Sequence, residues 1–231
     1  MNTMLKLKLI VTGASGMVGE GALLVCLQRD DIESVLVVGR KPCGTTHPKL
    51  KEILHGDFFD LTAIENQLSG YDGCLFCLGV SSVGMKEPEY TKLTYTLTTH
   101  FAGALAKHNP NMVFCYISGA NTDSTEKGRS MWARVKGRTE NELTRIFKKA
   151  YNFRPGGLIP TPGMKNVLPI YKYLGWIIPV MKVVAPGSLC KLEELGNAMV
   201  NAVFRGYNKQ VLEIPDILVL SKNNSQANTV S

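Results

Sequence analysis

The stretch TGASGMVG (12–19) places Gly13, Gly16 and Gly19 three residues apart, between an apolar run and an amphipathic one. This setting predicts a strand, a tight turn and a helix, the arrangement that binds a dinucleotide. The first glycine then allows the turn, the second lets the backbone approach a pyrophosphate, and the third lets the helix pack close to the strand. Free amides at the helix start are predicted to face the phosphates. The other cofactor-binding residues predicted in this turn are Ser15, Met17 and Val18. A glycine-rich turn without a ligand is the alternative.

The end of the second predicted strand, VVGRKP, bears on which dinucleotide is bound. Chains that bind NAD usually carry Asp or Glu at this place, where the acid holds the ribose 2′-hydroxyl. Arg40 and Lys41 stand there instead, and two cations suit a 2′-phosphate. The sequence therefore predicts NADP as cofactor, with NADPH preferred over NADH. A solvated basic turn is the alternative.

A helix predicted from residue 131 to about 147 carries a lysine on its core-facing stripe. At about 100° per residue, one narrow face collects the apolar side chains of this segment. That face comprises Trp132, Val135, Thr139, Leu143, Ile146 and Phe147. Lys136 falls inside it, one turn after Trp132. Either Lys136 buries its alkyl stem and pairs with Glu140 at i+4, or its ammonium group serves a site.

The composition is that of a globular chain with one substantial core. Of 231 residues, 45% are hydrophobic and 19% charged, which favours one domain, 1–231, over two. The net charge of +7 leaves room for an anionic ligand. The Lys and Arg residues are scattered along the chain, so no nucleic-acid partner is predicted.

The cysteines and the chain's start bear on location. Six cysteines mostly sit in apolar contexts, which indicates a reducing compartment and a cytoplasmic protein. Cys74 and Cys77 lie on a predicted strand, where positions i and i+3 point to opposite faces, so no shared metal or disulfide is expected. The first residues are not typical of a signal peptide. The apolar stretch 167–185 carries two prolines and two lysines, which makes it a poor membrane span.

Apolar runs alternate with amphipathic ones along most of the chain. Six near-continuous apolar strands separated by helices predict an α/β fold with a doubly wound parallel sheet. A short helix is predicted in LTAIENQLS, and a final helix and strand in KLEELGNAMVNAVFRG and QVLEIPDILVL. Prolines interrupt the pattern after Gly157, and a small cap over the substrate side is predicted for 157–190.

In this order the TGxxGxxG turn, Arg40, HGDFFD, CLGV, YISG, the Lys136 helix and FRPG resemble an atypical or extended short-chain dehydrogenase/reductase. The nearest resemblance is to epimerase/dehydratase-like NAD(P)-binding Rossmann proteins that include the Tat-interacting oxidoreductase-like branch. It spans residues 6 to about 160. It implies an oxidoreductase with a small-molecule carbonyl substrate, and a homodimer is common in the family.

The resemblance also implies the residues of the adenosine side. Asp57 would meet the adenine amine, and Phe58 would lie beside the ring. Leu78, Gly79 and Val80 would line the cleft next to the adenosine. The ends of the fourth and fifth strands are expected at this cleft on general grounds, because ligands of doubly wound sheets bind at the carboxyl ends of the strands.

On the nicotinamide side the resemblance implies Ser118 as the catalytic serine. Arg154, Pro155 and Gly156 would border the nicotinamide. The family's Y-x-x-x-K helix would supply a tyrosine as acid or base and a lysine on the nicotinamide ribose. Lys136 matches that lysine, whereas Trp132 stands in the tyrosine's place.

That replacement puts the usual chemistry in doubt, because an indole N–H donates a hydrogen bond but does not titrate usefully. Tyr116, Tyr95 and Cys77 are the other groups that could reach the cleft. Two functions remain open: an NADPH-dependent reductase with an unconventional proton donor, favoured by Ser118 and Lys136, and a non-catalytic NADPH-binding sensor or partner protein, favoured by Trp132.

The predicted cap bears on the substrate. Its large side chains suggest an apolar substrate; they are Tyr171, Tyr173, Trp176 and Met181. The same segment, GWIIPVMKVV with Lys172 and Lys182, is also compatible with membrane contact, and a cap is the preferred interpretation.

Overall fold

The fold is described from a computed structural model, over residues 6–167 and 187–222. Within these residues, seven parallel strands form one sheet in the order β3-β2-β1-β4-β5-β6-β9. The strands are β1 (Leu7–Thr12), β2 (Ile32–Gly39), β3 (Leu50–Leu54), β4 (Gly73–Phe76), β5 (Val113–Ile117), β6 (Lys149–Arg154) and β9 (Val211–Glu213). The order reverses direction at β1, from which the chain runs first to β2 and β3 and then to β4. The predicted α/β doubly wound parallel sheet is therefore confirmed.

Helices cover both faces of the sheet. They are α1 (Met17–Gln28), α2 (Glu87–Thr91), α3 (Leu97–His108), α4 (Met131–Ile146), α5 (Leu192–Arg205) and α6 (Ile214–Lys222). A π-helical segment, Lys92–Thr96, joins α2 to α3, so the three segments form one long helix. One face of the sheet packs on α1, α5 and α6, and the other packs on α3 and α4.

Alternating side chains of each strand build these two cores. Leu75 of β4 and Cys115 of β5 belong to the α1 side, whereas Phe76 and Tyr116 belong to the α4 side. This alternation explains why the strands read as continuous apolar runs. It also separates Cys74, in the core on the α4 side, from Cys77, which packs on the opposite side as predicted.

Two elements predicted from the sequence are wrong. The segment LTAIENQLS forms turns and one 3-10 turn, Glu65–Gln67, rather than an α-helix. The Asp60 carboxylate accepts hydrogen bonds from the backbone N–H of Thr62 at 3.1 Å and from its hydroxyl at 2.7 Å. This local turn competes with a helix start, and an isolated helix so short gains little.

The predicted C-terminal strand is the second error. Only β9 is extended, and the rest of QVLEIPDILVL forms α6. Pro215 lies in the first turn of α6, where a missing N–H costs nothing. Asp216 accepts a hydrogen bond from the backbone N–H of Glu213 at 3.3 Å, which helps to close that turn.

A second, two-stranded parallel sheet stands apart from the main one. It pairs β7 (Gly157–Ile159) with β8 (Leu189–Lys191). Along the chain, the predicted cap, 157–190, begins with β7 and ends in β8, and its residues 168–186 fall outside the described residues.

Candidate functional site

The glycine-rich turn follows β1 and leads into α1. Gly13 has φ +70°, and a Cβ on it would lie 2.6 Å from the carbonyl oxygen of Cys77. A Cβ on Gly19 would lie 2.1 Å from the Gly13 carbonyl oxygen. Both distances are below any real Cβ contact, so these two glycines are required by the packing of the turn itself.

Gly16 differs from the other two glycines. Its φ is −109°, an extended conformation open to any residue. A Cβ built there would meet only the Gly13 carbonyl oxygen, at 3.4 Å. The fold therefore does not require glycine at position 16, and the exposed space beside it is available to a ligand.

The start of α1 offers unpaired backbone donors. No side chain caps the helix at Gly16, and the first bond one turn back runs from the Glu20 N–H to the Gly16 carbonyl at 2.8 Å. The amides of Met17 and Val18 have no acceptor one turn earlier. Ser15 and Gly16 are exposed beside them. This end of α1 has the donors and the dipole that attract an anionic group.

A pocket of about 130 Å³ lies next to the turn, at the carboxyl ends of β2, β3 and β4. The residues predicted at the adenosine from the resemblance, and one of the two cations predicted at the 2′-phosphate, line it together. They are Arg40, Asp57, Phe58, Leu78, Gly79 and Val80. The pocket also contains residues that the sequence did not single out, namely Gly56, Phe59, Leu93 and Leu97. Gly56 and Phe59 adjoin predicted residues, but nothing in the sequence placed the helical Leu93 and Leu97 there.

Phe58, which the resemblance places beside the adenine ring, lines the pocket but belongs mainly to the core on the α4 side. It is 2% exposed and packs on Phe101, with ring centroids 5.4 Å apart. Phe59 is the half-buried aromatic residue of this wall, and the Lys92 ammonium lies 5.5 Å from its ring centroid.

Arg40 and Lys41 follow β2 and are exposed. Among the described residues, neither takes part in an ion pair. The end of β2 thus carries two cations and no acidic residue. Arg40 is also part of the pocket wall. A phosphate beside the pocket would meet a guanidinium group that no carboxylate neutralises.

Lys136 lies on α4 and points toward the end of β5. Its ammonium donates hydrogen bonds to the carbonyl oxygens of Ser118 and, at 3.5 Å, Ile117. Burial lowers the pKa of Lys136 to about 8, against the opposing effect of Glu140. The ion pair with Glu140 considered from the sequence does not form, because the Glu140 carboxylate is bound by other groups.

Those other groups form a buried network around Glu140, which is 1% exposed. The Ser118 hydroxyl donates to Glu140 Oε1 at 2.5 Å. The Arg154 guanidinium donates from Nε to the same oxygen at 2.9 Å and from its terminal nitrogen to Oε2. Arg154 also reaches Ser124 Oγ, at 2.6 Å, and Glu213, at 3.5 Å. The network joins the ends of β5, β6 and β9 to α4.

Pro155 and Gly156 continue from β6 at the same edge of the sheet. The Pro155 carbonyl accepts the Ala120 N–H at 2.9 Å, which ties the chain after β6 to the chain after β5. Pro155 is buried and Gly156 is exposed. The predicted nicotinamide-side residues Ser118, Lys136 and Arg154 are thus brought together.

Trp132 is half-buried, one turn before Lys136. Its indole N–H has no hydrogen-bond partner within the described part of the chain. Tyr116, 2% exposed, lies under the Lys136 ammonium, 5.9 Å from the nitrogen to the ring centroid, and burial raises its pKa above the usual range. Tyr95 is covered by the Arg138 guanidinium, 4.1 Å from its ring centroid. Burial likewise raises the pKa of the Cys77 thiol above its usual range.

Other classes of site can be addressed only for the described residues. Within residues 6–167 and 187–222, no group of three or more His, Cys, Asp or Glu side chains could hold a metal ion. In the same residues no helix is long and apolar enough to cross a membrane. The predicted cap residues Tyr171, Tyr173, Trp176 and Met181 lie outside the described part, as do Lys172 and Lys182.

A family model described as "NAD dependent epimerase/dehydratase family" matches residues 9–132, more than half of the chain. The chain belongs to this family. The resemblance to extended short-chain dehydrogenases is thereby confirmed at the family level. No curated protein matches this chain in sequence. The place of the chain in the Tat-interacting oxidoreductase-like branch therefore stays a prediction.

Solved structures of similar fold include enzymes that act on sugars. The UDP-N-acetylglucosamine 4-epimerase of Methanobrevibacter ruminantium M1 has a TM-score of 0.66 at 15% identity, over 94% of this chain and 81% of its own. The glucuronic acid dehydrogenase of Chromohalobacter salexigens has a TM-score of 0.65 at 17% identity, over 90% and 76%. WbmF of Bordetella bronchiseptica, in complex with NAD+, has a TM-score of 0.64 at 14% identity, over 97% and 81%. At these identities the likeness establishes the shared fold.

Proposed function

We propose that this chain is an NADP(H)-binding oxidoreductase of the short-chain dehydrogenase type that reduces a small carbonyl substrate. The observation that carries the proposal is that Leu78, whose backbone nitrogen lies 2.8 Å from the Cβ position of Gly13 in the turn, also lines the pocket together with Arg40. The family, whose description names NAD, supports a nicotinamide cofactor.

The residues present fit the cofactor in three parts. The pyrophosphate takes the space beside Gly16, where the amides of Met17 and Val18 face it. Adenosine takes the pocket whose walls include Asp57 and Leu78. The 2′-phosphate takes Arg40, with Lys41 next to it. WbmF was solved with NAD+, so the preference for NADP in this chain depends on these two cations.

At the other end of the cleft, Ser118, Trp132 and Lys136 face the reacting part of the substrate. When bound, a reduced nicotinamide supplies a hydride. The chain's own task is to hold the carbonyl group and deliver a proton to its oxygen. The Trp132 indole N–H can donate a hydrogen bond to that oxygen but cannot release its proton.

Calorimetric titration of NADPH and NADH tests the cofactor assignment. A charge-assisted hydrogen bond to the 2′-phosphate is worth roughly 1.5–3 kcal/mol, so the wild type should prefer NADPH by about tenfold or more. Arg40→Ala should narrow that preference by a similar factor. Lys149→Ala is the matched control, since it removes one exposed positive charge at the start of β6, the opposite edge of the sheet. Equal affinities of the wild type for NADPH and NADH would contradict the assignment.

A non-catalytic NADPH-binding sensor or partner protein is the second candidate. It is favoured by Trp132 in the tyrosine position and by the Ser118 hydroxyl, which is bound to Glu140 rather than free. NADPH oxidation over a panel of aldehydes and ketones separates the two candidates, because only the enzyme consumes NADPH in a substrate-dependent way.

The remaining parts of the proposal concern the substrate, assembly and location. We expect an apolar small-molecule substrate from the aromatic residues of the predicted cap, and a homodimer from the family resemblance. A cytoplasmic location is proposed because all six cysteines are unpaired, as is usual in a reducing compartment. Nucleic-acid and membrane partners are not proposed.

A further inference from the structure

The helix position of the usual catalytic tyrosine carries no titratable group in this chain. Trp132 stands there, and an indole does not exchange its proton in the working pH range. Tyr116 lies on the right strand but is 2% exposed and sealed under the Lys136 side chain. A proton for the substrate oxygen must therefore come from another group.

Ser118 is also unavailable as a proton source. Its hydroxyl proton is directed at Glu140 Oε1, 2.5 Å away. The Glu140 carboxylate is held in turn by two nitrogens of Arg154. Both oxygens of Glu140 therefore accept hydrogen bonds from side chains of this network, Oε1 from Ser118 and Oε1 and Oε2 from Arg154.

Lys136 differs from these groups in both position and contacts. It is half-buried at the carboxyl end of β5, where the cleft of a doubly wound sheet lies. Two of its three N–H groups are taken by the carbonyls of Ile117 and Ser118. The ammonium forms no ion pair with a described carboxylate, so one N–H is left for a ligand.

We propose that Lys136 is itself the acid–base group of this site, in the role that a tyrosine would fill. This inference rests on the proposed function. In a carbonyl reduction the carbon would receive its hydride from a bound dihydronicotinamide, and the oxygen takes a proton from the Lys136 ammonium. One N–H bond breaks as one O–H bond forms, and the neutral amine regains its proton from water.

The electrostatic surroundings of Lys136 support proton exchange near neutral pH. Burial lowers its pKa to about 8, which places both protonation states within reach of the working range. On α4 itself, Glu140 opposes this shift, but Arg154 of β6 compensates its charge. From β5, Tyr116 is neutral because burial raises its pKa above the usual range.

The other elements packed on α4 carry further titratable side chains, the exposed Glu89 of α2 among them, but the pKa of Lys136 responds to burial and to Glu140. On α2, Glu87 is paired with Arg134 at 2.7 Å, and burial raises the pKa of Tyr90. In the π-helical segment, Tyr95 lies under Arg138, and Lys92 lies over Phe59. The titratable residues of α3 are His100, Lys107 and His108, and the last two bind Glu65.

Proton release on nucleotide binding tests the proposal. NADP+ carries a positive charge on its nicotinamide ring and NADPH does not, so NADP+ next to Lys136 should lower the pKa of the ammonium further. At pH 8 the wild type should release up to about half a proton more on binding NADP+ than on binding NADPH. Calorimetry in two buffers of different ionisation enthalpy measures this number.

Two variants show whether Lys136 is the source of the proton. Lys136→Arg keeps a positive charge that does not titrate, and Lys136→Met keeps the alkyl stem without the charge. Both should lose the difference in proton release. The same difference in wild type and in either variant would overturn the proposal.

A second measurement works on the protein without nucleotide. The reaction of each amino group with trinitrobenzenesulfonate is followed against pH by peptide mass spectrometry. Lys136 should react with a midpoint near pH 8, and the exposed Lys149 is the reference amine measured in the same samples. A midpoint equal to that of Lys149 would overturn the proposal, even if nucleotides bind. If the wild type binds neither NADPH nor NADP+, the proposed function fails, and the labelling midpoint still decides whether Lys136 exchanges a proton near neutral pH.

Discussion

At the scale of single residues, the site depends on which partner each polar group takes. Helical spacing alone predicted that Lys136 faces inward, because the stripe through Val135, Thr139 and Leu143 is a local property of one helix. These three residues are buried in the structure. The partner of Glu140 could not be predicted in this way. It is Arg154 rather than Lys136, since β6 returns beside α4 through contacts that no local pattern encodes.

Substitution of Trp132 tests the acid–base interpretation of this helix face. Trp132→Tyr should place a phenol one turn from Lys136, and the nearby ammonium should bring the pKa of that phenol down toward the working range. Because tyrosine is smaller than tryptophan, the change leaves a small void rather than a clash. With a carbonyl substrate that fits, NADPH oxidation should be faster than in Trp132→Phe by at most about 10²-fold, the low end of general acid catalysis, because Lys136 already supplies a proton in both variants.

Trp132→Phe is the matched control, since it has a similar ring without the acidic hydroxyl. Equal activity of the Tyr and Phe variants, with both folded by circular dichroism, would show that a phenol at position 132 adds no proton transfer to that of Lys136. Loss of a native activity in Trp132→Phe alone would show that a hydrogen-bond donor is needed at this position.

At the scale of elements, the strand–turn–helix unit at the N-terminal end was predictable because its evidence is local. Three glycines at fixed spacing between an apolar and an amphipathic run specify both ends of the turn. The C-terminal segment was not, because QVLEIPDILVL is apolar enough for a buried strand or a buried helix. Pro215 decides between them: it fits the first turn of α6 and would interrupt a sheet.

Gly16 and Gly19 of the turn should respond differently to valine. Gly16→Val should fold, because the φ of −109° suits a β-branched residue and only one atom lies near the new Cβ. It should lose NADPH binding, since the side chain fills the space proposed for the pyrophosphate. Gly19→Val should fail to fold, because its Cβ would lie 2.1 Å from the Gly13 carbonyl oxygen.

Circular dichroism and calorimetric titration with NADPH separate these outcomes. A Gly16→Val protein that binds NADPH with wild-type affinity would mean that the turn is structural and holds no pyrophosphate. A Gly16→Val protein that unfolds would contradict the role assigned to the open space beside this residue.

At the scale of the whole molecule, the sheet order brings together residues far apart in sequence. The pocket lies at the ends of β2, β3 and β4, and the buried network around Glu140 joins the ends of β5, β6 and β9. Alternating apolar strands and helices predicted this class of fold, and the rule that ligands bind at the carboxyl ends of such strands predicted the edge. The role of Leu93 and Leu97 in the pocket wall was not predictable, because it depends on how the long helix packs across that edge.

The half-buried ammonium of Lys136 should affect how the free energy of unfolding of the whole protein depends on pH. Its pKa is lowered from 10.5 to about 8 in the folded state, so between these values the unfolded chain binds more protons than the folded one. The free energy of unfolding therefore gains from this group as pH rises from 8 to 10.5, and loses that gain as pH falls. Because the side chain is partly exposed and solvent screens its charge, we expect this gain in the free energy of unfolding to be about 2 kcal/mol, less than the full pKa shift implies.

Denaturant unfolding of the wild type and Lys136→Met measures this contribution as a difference. The buried thiols act in the opposite direction, because burial raises the pKa of Cys26 and of Cys190 to about 12, so the folded state keeps protons that the unfolded chain releases above its thiol pKa. Both proteins share that loss, and it cancels in the comparison. The wild type should gain stability relative to Lys136→Met between pH 8 and 10.5. Parallel curves would mean that Lys136 keeps an ordinary lysine pKa in the folded protein, and that its ammonium is solvated rather than buried at the end of β5.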